Sequence, residues 1–202
     1  MFKKFAAEAL GISDVGVIIA PADYNKVDAD DYLFHEDGEK IFFLIKSKKD
    51  EYCFTNLALL HVDGESAVSA KRTIKRYEYR SHRISRVTIE TAGTIDLDVE
   101  LKFYVDDLHF SIDVRKNFLE SLKDIYKALS TIGRLQERNA EARENAQRTL
   151  GAIASMYRLN AVSGEDSVVK QYTALLDAVN TTVQDRFAGR DYSQVFEKYI
   201  HA

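Results

Sequence analysis

Between residues 95 and 105 the chain alternates: Ile95, Leu97, Val99, Leu101, Phe103 and Val105 are apolar, and Asp96, Asp98, Glu100 and Lys102 between them are polar. A period of two describes a strand with one face in a core and one in water. Val87 and Ile89 supply the matching apolar positions of the strand before it, and residues 91–94 form the turn, with Gly93 able to take positive φ. Residues 87–105 therefore predict a hairpin. After a turn at Asp106-Asp107 the alternation resumes, with Leu108, Phe110, Ile112 and Val114 set against His109, Ser111, Asp113 and Arg115. Upstream, residues 41–46, 52–55 and 57–62 read as a three-stranded meander, with a polar turn over 47–50 and a stop at Asp63-Gly64. Residues 69–79 complete a set of seven predicted strands.

Elsewhere the period lengthens. Phe118, Leu122, Ile125, Leu129 and Ile132 step by four, three, four and three, which predicts a helix with a narrow apolar stripe suited to covering the open end of a sheet. Phe2, Phe5, Ala6, Ala9 and Leu10 predict a short amphipathic helix stopped by Gly11 and packed onto the domain. Asp28, Asp30 and Asp31 read as the acidic first turn of a second short helix. A calcium loop is excluded there, because Leu33 stands where a glycine is needed and Tyr32 where an oxygen ligand is needed. Past Gly133, where a helix break or kink is expected, the chain becomes highly charged with Ala142, Ala146 and Ala152 along a stripe. Ser163-x-x-Asp166 has the form of a capping box opening a helix that carries Val168, Tyr172, Leu175, Val179, Val183 and Phe187 and stops at Gly189. A second box, Asp191-x-x-Gln194, opens a final short helix with Val195, Phe196 and Tyr199.

The segment ETAGTIDLDVELK, Glu90 to Lys102, resembles the signature hairpin of the bacterial pleckstrin-homology-like (PH-like) domain family. GEKI at 38–41, DEYCFTN at 50–56 and LLHVDG at 59–64 match the same family in the same order. The resemblance, to the YvbH-like form of the family, covers about residues 1–132. It implies an α+β fold: a seven-stranded antiparallel barrel closed by a C-terminal helix, with short N-terminal helices within 1–37. Residues 133–202 resemble the all-α oligomerisation extension found behind some members. The likeness implies self-assembly, with a closed ring as its specific form. Many eukaryotic PH domains hold phosphoinositides with basic residues in and just after the first hairpin. Here Lys46, Lys48 and Lys49 occupy the turn, but Phe54-Thr55-Asn56 replaces the basic-x-Arg pattern expected after it.

Composition narrows the function classes. The 202 residues carry a formal net charge of −4, so bulk electrostatics gives no reason to expect a nucleic-acid partner. Cys53 is the sole cysteine, which excludes an internal disulfide and a cysteine-built zinc or iron–sulfur site. The N-terminus lacks the apolar core of a signal peptide, and no stretch approaches the ~20 apolar residues of a membrane span, so a cytoplasmic location is expected. Common catalytic and phosphate-binding motifs are absent, and the five histidines are scattered one per element. Ser81 and His82, placed in a strand, would face opposite ways, and Asp96 and Asp98 read as the solvated side of a sheet. No enzymatic activity, cofactor or metal ligand is assigned. The one strong charge bias is basic: Lys71, Arg72, Lys75, Arg76, Arg80, Arg83 and Arg86 against the single acid Glu78. These residues are the candidate anion- or partner-binding set. The expected function is a non-enzymatic interaction protein whose partners are its own copies and another protein. The alternative is a peripheral membrane or anionic-ligand module that uses the basic strand.

Overall fold

A computed structural model describes residues 14–64, 72–91, 98–160, 170–178, 181 and 191–200. The chain divides into two compact units, Met1–Gly133 with Arg190–Ala202, and Arg134–Gly189. Among the described residues the first unit holds eight strands: β1 (Val17–Ile18), β2 (Ile41–Lys46), β3 (Glu51–Thr55), β4 (Ala58–Gly64), β5 (Arg72–Glu78), β6 (Ile84–Thr91), β7 (Asp98–Val105) and β8 (Leu108–Arg115). They form two antiparallel sheets, β1-β2-β3-β4-β5 and β6-β7-β8. Where seven strands in one barrel were expected, the described residues form eight strands in two sheets. The additional strand, β1, pairs only Val17 with Lys46 and Ile18 with Ile45, too short a run for alternation to reveal. Gly16 links the sheets, donating its N–H to Asp113 O at 2.7 Å and accepting the Arg115 N–H at 3.0 Å.

The larger sheet is covered on both faces. Consecutive residues are buried in β2 (Phe43, Leu44, Ile45), β3 (Cys53, Phe54) and β4 (Leu59, Leu60). One face carries Leu44, Cys53, Ala58, Leu60 and Val62 against Val27, Ala29 and Leu33. Those last three belong to a layer of 3-10 turns, Pro21–Lys26, Asp28–Tyr32 and His35–Asp37, where the acidic pattern had suggested one short helix. The other face meets the second sheet through aromatic rings: Phe54 lies 6.0 Å from Phe103, which stacks on Phe110 at 5.0 Å. β7 is covered on one face only, so Val99, Leu101, Phe103 and Val105 are buried and their neighbours are not. Full alternation in β7 and continuous apolar runs in β2–β4 thus record one covered face and two.

Helix α1 (Leu119–Asn160) buries Leu122, Ile125, Leu129 and Ile132 of the predicted stripe, together with Ala128, while Phe118 is half-buried in the 3-10 turn before it. It runs through Gly133 without the expected break. A Cβ at Gly133 would lie 2.6 Å from the carbonyl oxygen of Ile84, so the glycine serves close approach of the helix to β6. In the second unit, residues 170–178 are helical (α2), with Tyr172 and Leu175 half-buried. Helix α3 (Ser193–Tyr199), grouped by sequence with the extension, packs in the strand unit. Phe196 is 0% exposed and stacks on Phe42 at 5.1 Å, and Tyr192 meets Tyr79 edge-on at 5.7 Å. The predicted helix over residues 2–10, the Gly93 turn with Ile95, Asp96 and Leu97, Lys71, the Ser163 box, and Val168, Val179, Val183, Phe187 and Gly189 lie outside the described residues.

Candidate interaction surface

The period of strand β5 splits the basic stretch between two faces. Arg72 and Arg76 point toward the layer of 3-10 turns. Arg72 lies 3.8 Å from Asp28, while Arg76 reaches Glu39 at 3.0 Å and Glu78 at 3.6 Å, with its guanidinium 4.6 Å from the Phe34 ring. Lys75 points the other way and pairs with Asp63 at 2.7 Å. Three cations that were grouped in sequence are therefore directed to separate acids of the same chain. Among the described residues the other three, Arg80, Arg83 and Arg86, are exposed. Arg80 lies in the turn after β5. Arg83 is fixed by its main chain, its N–H donated to Asp106 Oδ1 and its carbonyl accepting the Asp106 N–H, both at 2.8 Å. Arg86 occupies a bulge of β6 with φ of 49° and sets its guanidinium 5.1 Å from the Tyr104 ring.

Two carboxylates that sequence reading did not single out organise this region. Glu39 and Glu51 are each 2% exposed. Glu39 accepts from Thr55 Oγ1 at 2.6 Å and from the Phe34 N–H at 2.9 Å, besides Arg76. Glu51 accepts the N–H groups of Ala29 at 2.9 Å and Asp28 at 3.3 Å and pairs with Lys46. Burial, with Glu51 alongside, holds the Asp28 carboxyl above its ordinary value. Gly38, at φ 77°, ends the third 3-10 turn in the left-handed conformation and delivers Glu39 inward. Asn56 accepts the Lys40 N–H at 2.9 Å, donates to Asp191 Oδ2 at 2.9 Å, and accepts the Tyr192 N–H on its carbonyl at 2.9 Å. The Gly-Glu and Phe-Thr-Asn segments thus lock the turn layer and α3 to the sheet. A signal for Glu51 was present: it shares the strand face of Cys53 and Thr55, an odd place for an unpartnered acid.

Other predicted chemistry resolves as follows. β5 ends at Glu78, so Ser81 and His82 lie in a turn, and Ser81 Oγ is 3.1 Å from His82 Nδ1. The opposite-faces expectation is corrected, and both atoms also contact Glu78 O, at 3.3 and 3.2 Å. Cys53 is fully buried, and burial pushes its thiol well above the ordinary value. Asp98 is half-buried opposite Arg115. His61, read as isolated, stands with Asp50 and Asp63, one atom of each lying within 4.8 Å of the others. Pairing of β3 with β4 brings them together; the register that does so is invisible in a linear scan. Among the described residues, β5 and β6 each end a sheet, and the exposed turn carrying Arg80 joins them.

A family model described as "Bacterial PH domain" matches residues 9–133. The chain is 50% identical over 205 residues to the uncharacterized protein YvbH of Bacillus subtilis (strain 168), covering all of both chains. It is 36% identical over 98 residues to the uncharacterized protein YjqA of the same organism, covering 48% of this chain and 76% of YjqA. The crystal structure of a PH-domain-containing protein from Exiguobacterium sibiricum 255-15 superposes with a TM-score of 0.83 at 42% identity, over 93% of this chain and all of that one.

Proposed function

We propose, from the premise that this chain belongs to the bacterial PH domain family, that it works by association rather than by catalysis, as a homo-oligomer that closes into a ring and docks another protein. The observation that carries this reading is the pair of sheet-ending strands β5 and β6, consecutive in the chain. A terminal strand presents backbone N–H and C=O groups able to pair with another chain. The pairing of Arg72, Lys75 and Arg76 with Asp28, Asp63 and Glu39 of the same chain favours this over an anion site built from the whole basic stretch. The resemblance of the C-terminal segment to a helical oligomerisation extension supports the same reading.

Light scattering tests it. The full chain should run at several times 23.0 kDa at micromolar concentration. Lysine at an exposed edge position, Thr73→Lys with Thr88→Lys, should lower that mass while leaving the melting temperature nearly unchanged. A monomeric full-length chain overturns the reading. The exposed Arg80, Arg83 and Arg86 carry the membrane-surface alternative, for which sedimentation with anionic but not neutral vesicles, fading with salt, is the signature.

A further inference from the structure

We infer that Asp50, His61 and Asp63 form a binding site for a divalent transition-metal cation, with zinc the best match to one imidazole and two carboxylates. Their ligand atoms lie within 4.8 Å of one another. A cation held at about 2.0–2.2 Å from each donor, in tetrahedral arrangement, spaces its donors roughly 3.3–3.6 Å apart. His61 Nε2 and Asp50 Oδ1 already stand at 3.2 Å. Asp63 is half-buried at the rim and can close the remaining distance by a side-chain rotation. In the metal-bound state His61 ligates through Nε2 and carries its proton on Nδ1, and three protein donors leave a fourth position for water.

Two of the donors, His61 and Asp50, are held before any metal arrives. The imidazole stacks on Tyr52, with ring centroids 4.5 Å apart and an interplanar angle of 10°, and Phe110 meets it edge-on at 6.0 Å. Asp50 is fixed at the β2–β3 turn, where its N–H is donated to Ser47 Oγ at 3.0 Å and its carbonyl accepts the Ser47 N–H at 2.8 Å. The ammonium of Lys75, 2.7 Å from Asp63 Oδ2, is the resident counter-ion. A divalent cation must displace it, so Lys75 is a built-in competitor.

That competition supplies the test. Full-length protein titrated with Zn2+ by calorimetry should bind one equivalent per chain, and Co2+ in its place should give visible d–d absorption. Asp63→Asn and His61→Gln should each weaken binding roughly tenfold or more, and Lys75→Gln should strengthen it. His35, 3.4 Å from Asp30, provides the control: His35→Gln should change nothing. Asp63 sits at the rim, so its variant keeps the test decisive even if His61→Gln unfolds. The inference is overturned if Zn2+ does not bind, if a folded Asp63→Asn binds it as tightly as the parent, or if His35→Gln abolishes binding.

Discussion

Three single residues carry distinct consequences. Cys53 is wholly buried, and burial, with Glu51 and Glu39 nearby, raises its thiol, so almost no thiolate exists to react. A disulfide reagent should therefore label the chain only at the rate of unfolding, and rapid labelling of native protein would contradict the placement of β3. Glu39 satisfies a hydroxyl, a backbone N–H and a guanidinium at once. Glu39→Ala leaves all three without that acceptor and should cost about 3–5 kcal/mol in denaturant unfolding. Asp191 is acid-sensitive. Burial alone would raise it, but bonds from Ser193 and Asn56 leave its carboxyl below the ordinary value. A depressed folded-state value means stability that is present above the unfolded value of about 3.9 and is lost as pH falls through the folded one. Melting temperature should fall across that acid window, and Asp191→Asn should flatten the slope. The role of Glu39 was not legible from residue type, because a buried acid is recognised by its partners, and Thr55 and Arg76 are distant in sequence.

At the scale of elements, legibility followed the number of covered faces. The stripe on α1 from Leu122 to Ile132 and the alternation of β7 from Asp98 to Val105 each record a single boundary between core and water, and both were read correctly from the sequence. β1 and the 3-10 turns were not, since two residues or one turn contain no full period. Gly133 misled for a different reason. Glycine in a helical pattern signals either a stop or a close contact, and only the neighbouring backbone of Ile84 distinguishes them. The two readings predict opposite outcomes for Gly133→Ala. On an exposed helix the change would stabilise by about 1 kcal/mol. Against a carbonyl oxygen 2.6 Å from the new methyl, it should destabilise by roughly 1–3 kcal/mol, measured as a lowered midpoint of chemical unfolding.

For the whole molecule, the position of α3 changes how the role of the extension must be tested. The sequence pattern assigns everything after Ile132 to the extension, which makes truncation there the obvious experiment. That truncation deletes Tyr192 and Phe196, which cover Tyr79 and Phe42, and it strips Asn56 of its bond to Asp191. Losing a fully buried phenylalanine alone costs about 3–5 kcal/mol, so the truncated chain should be unstable for reasons unrelated to assembly. The informative deletion removes residues 134–189 and joins Gly133 to Arg190 through a flexible linker, keeping α3 in place. Twenty Gly/Ser residues give a mean span of roughly 25 Å. If the extension strengthens a ring that the sheet edges form, this chain should keep its melting temperature and its oligomeric state at high concentration, but dissociate on dilution where the full chain does not. If the extension alone builds the oligomer, the deletion should be monomeric at every concentration. Light scattering over a dilution series separates the two outcomes, and the second would move the assembly surface from β5 and β6 to the helices.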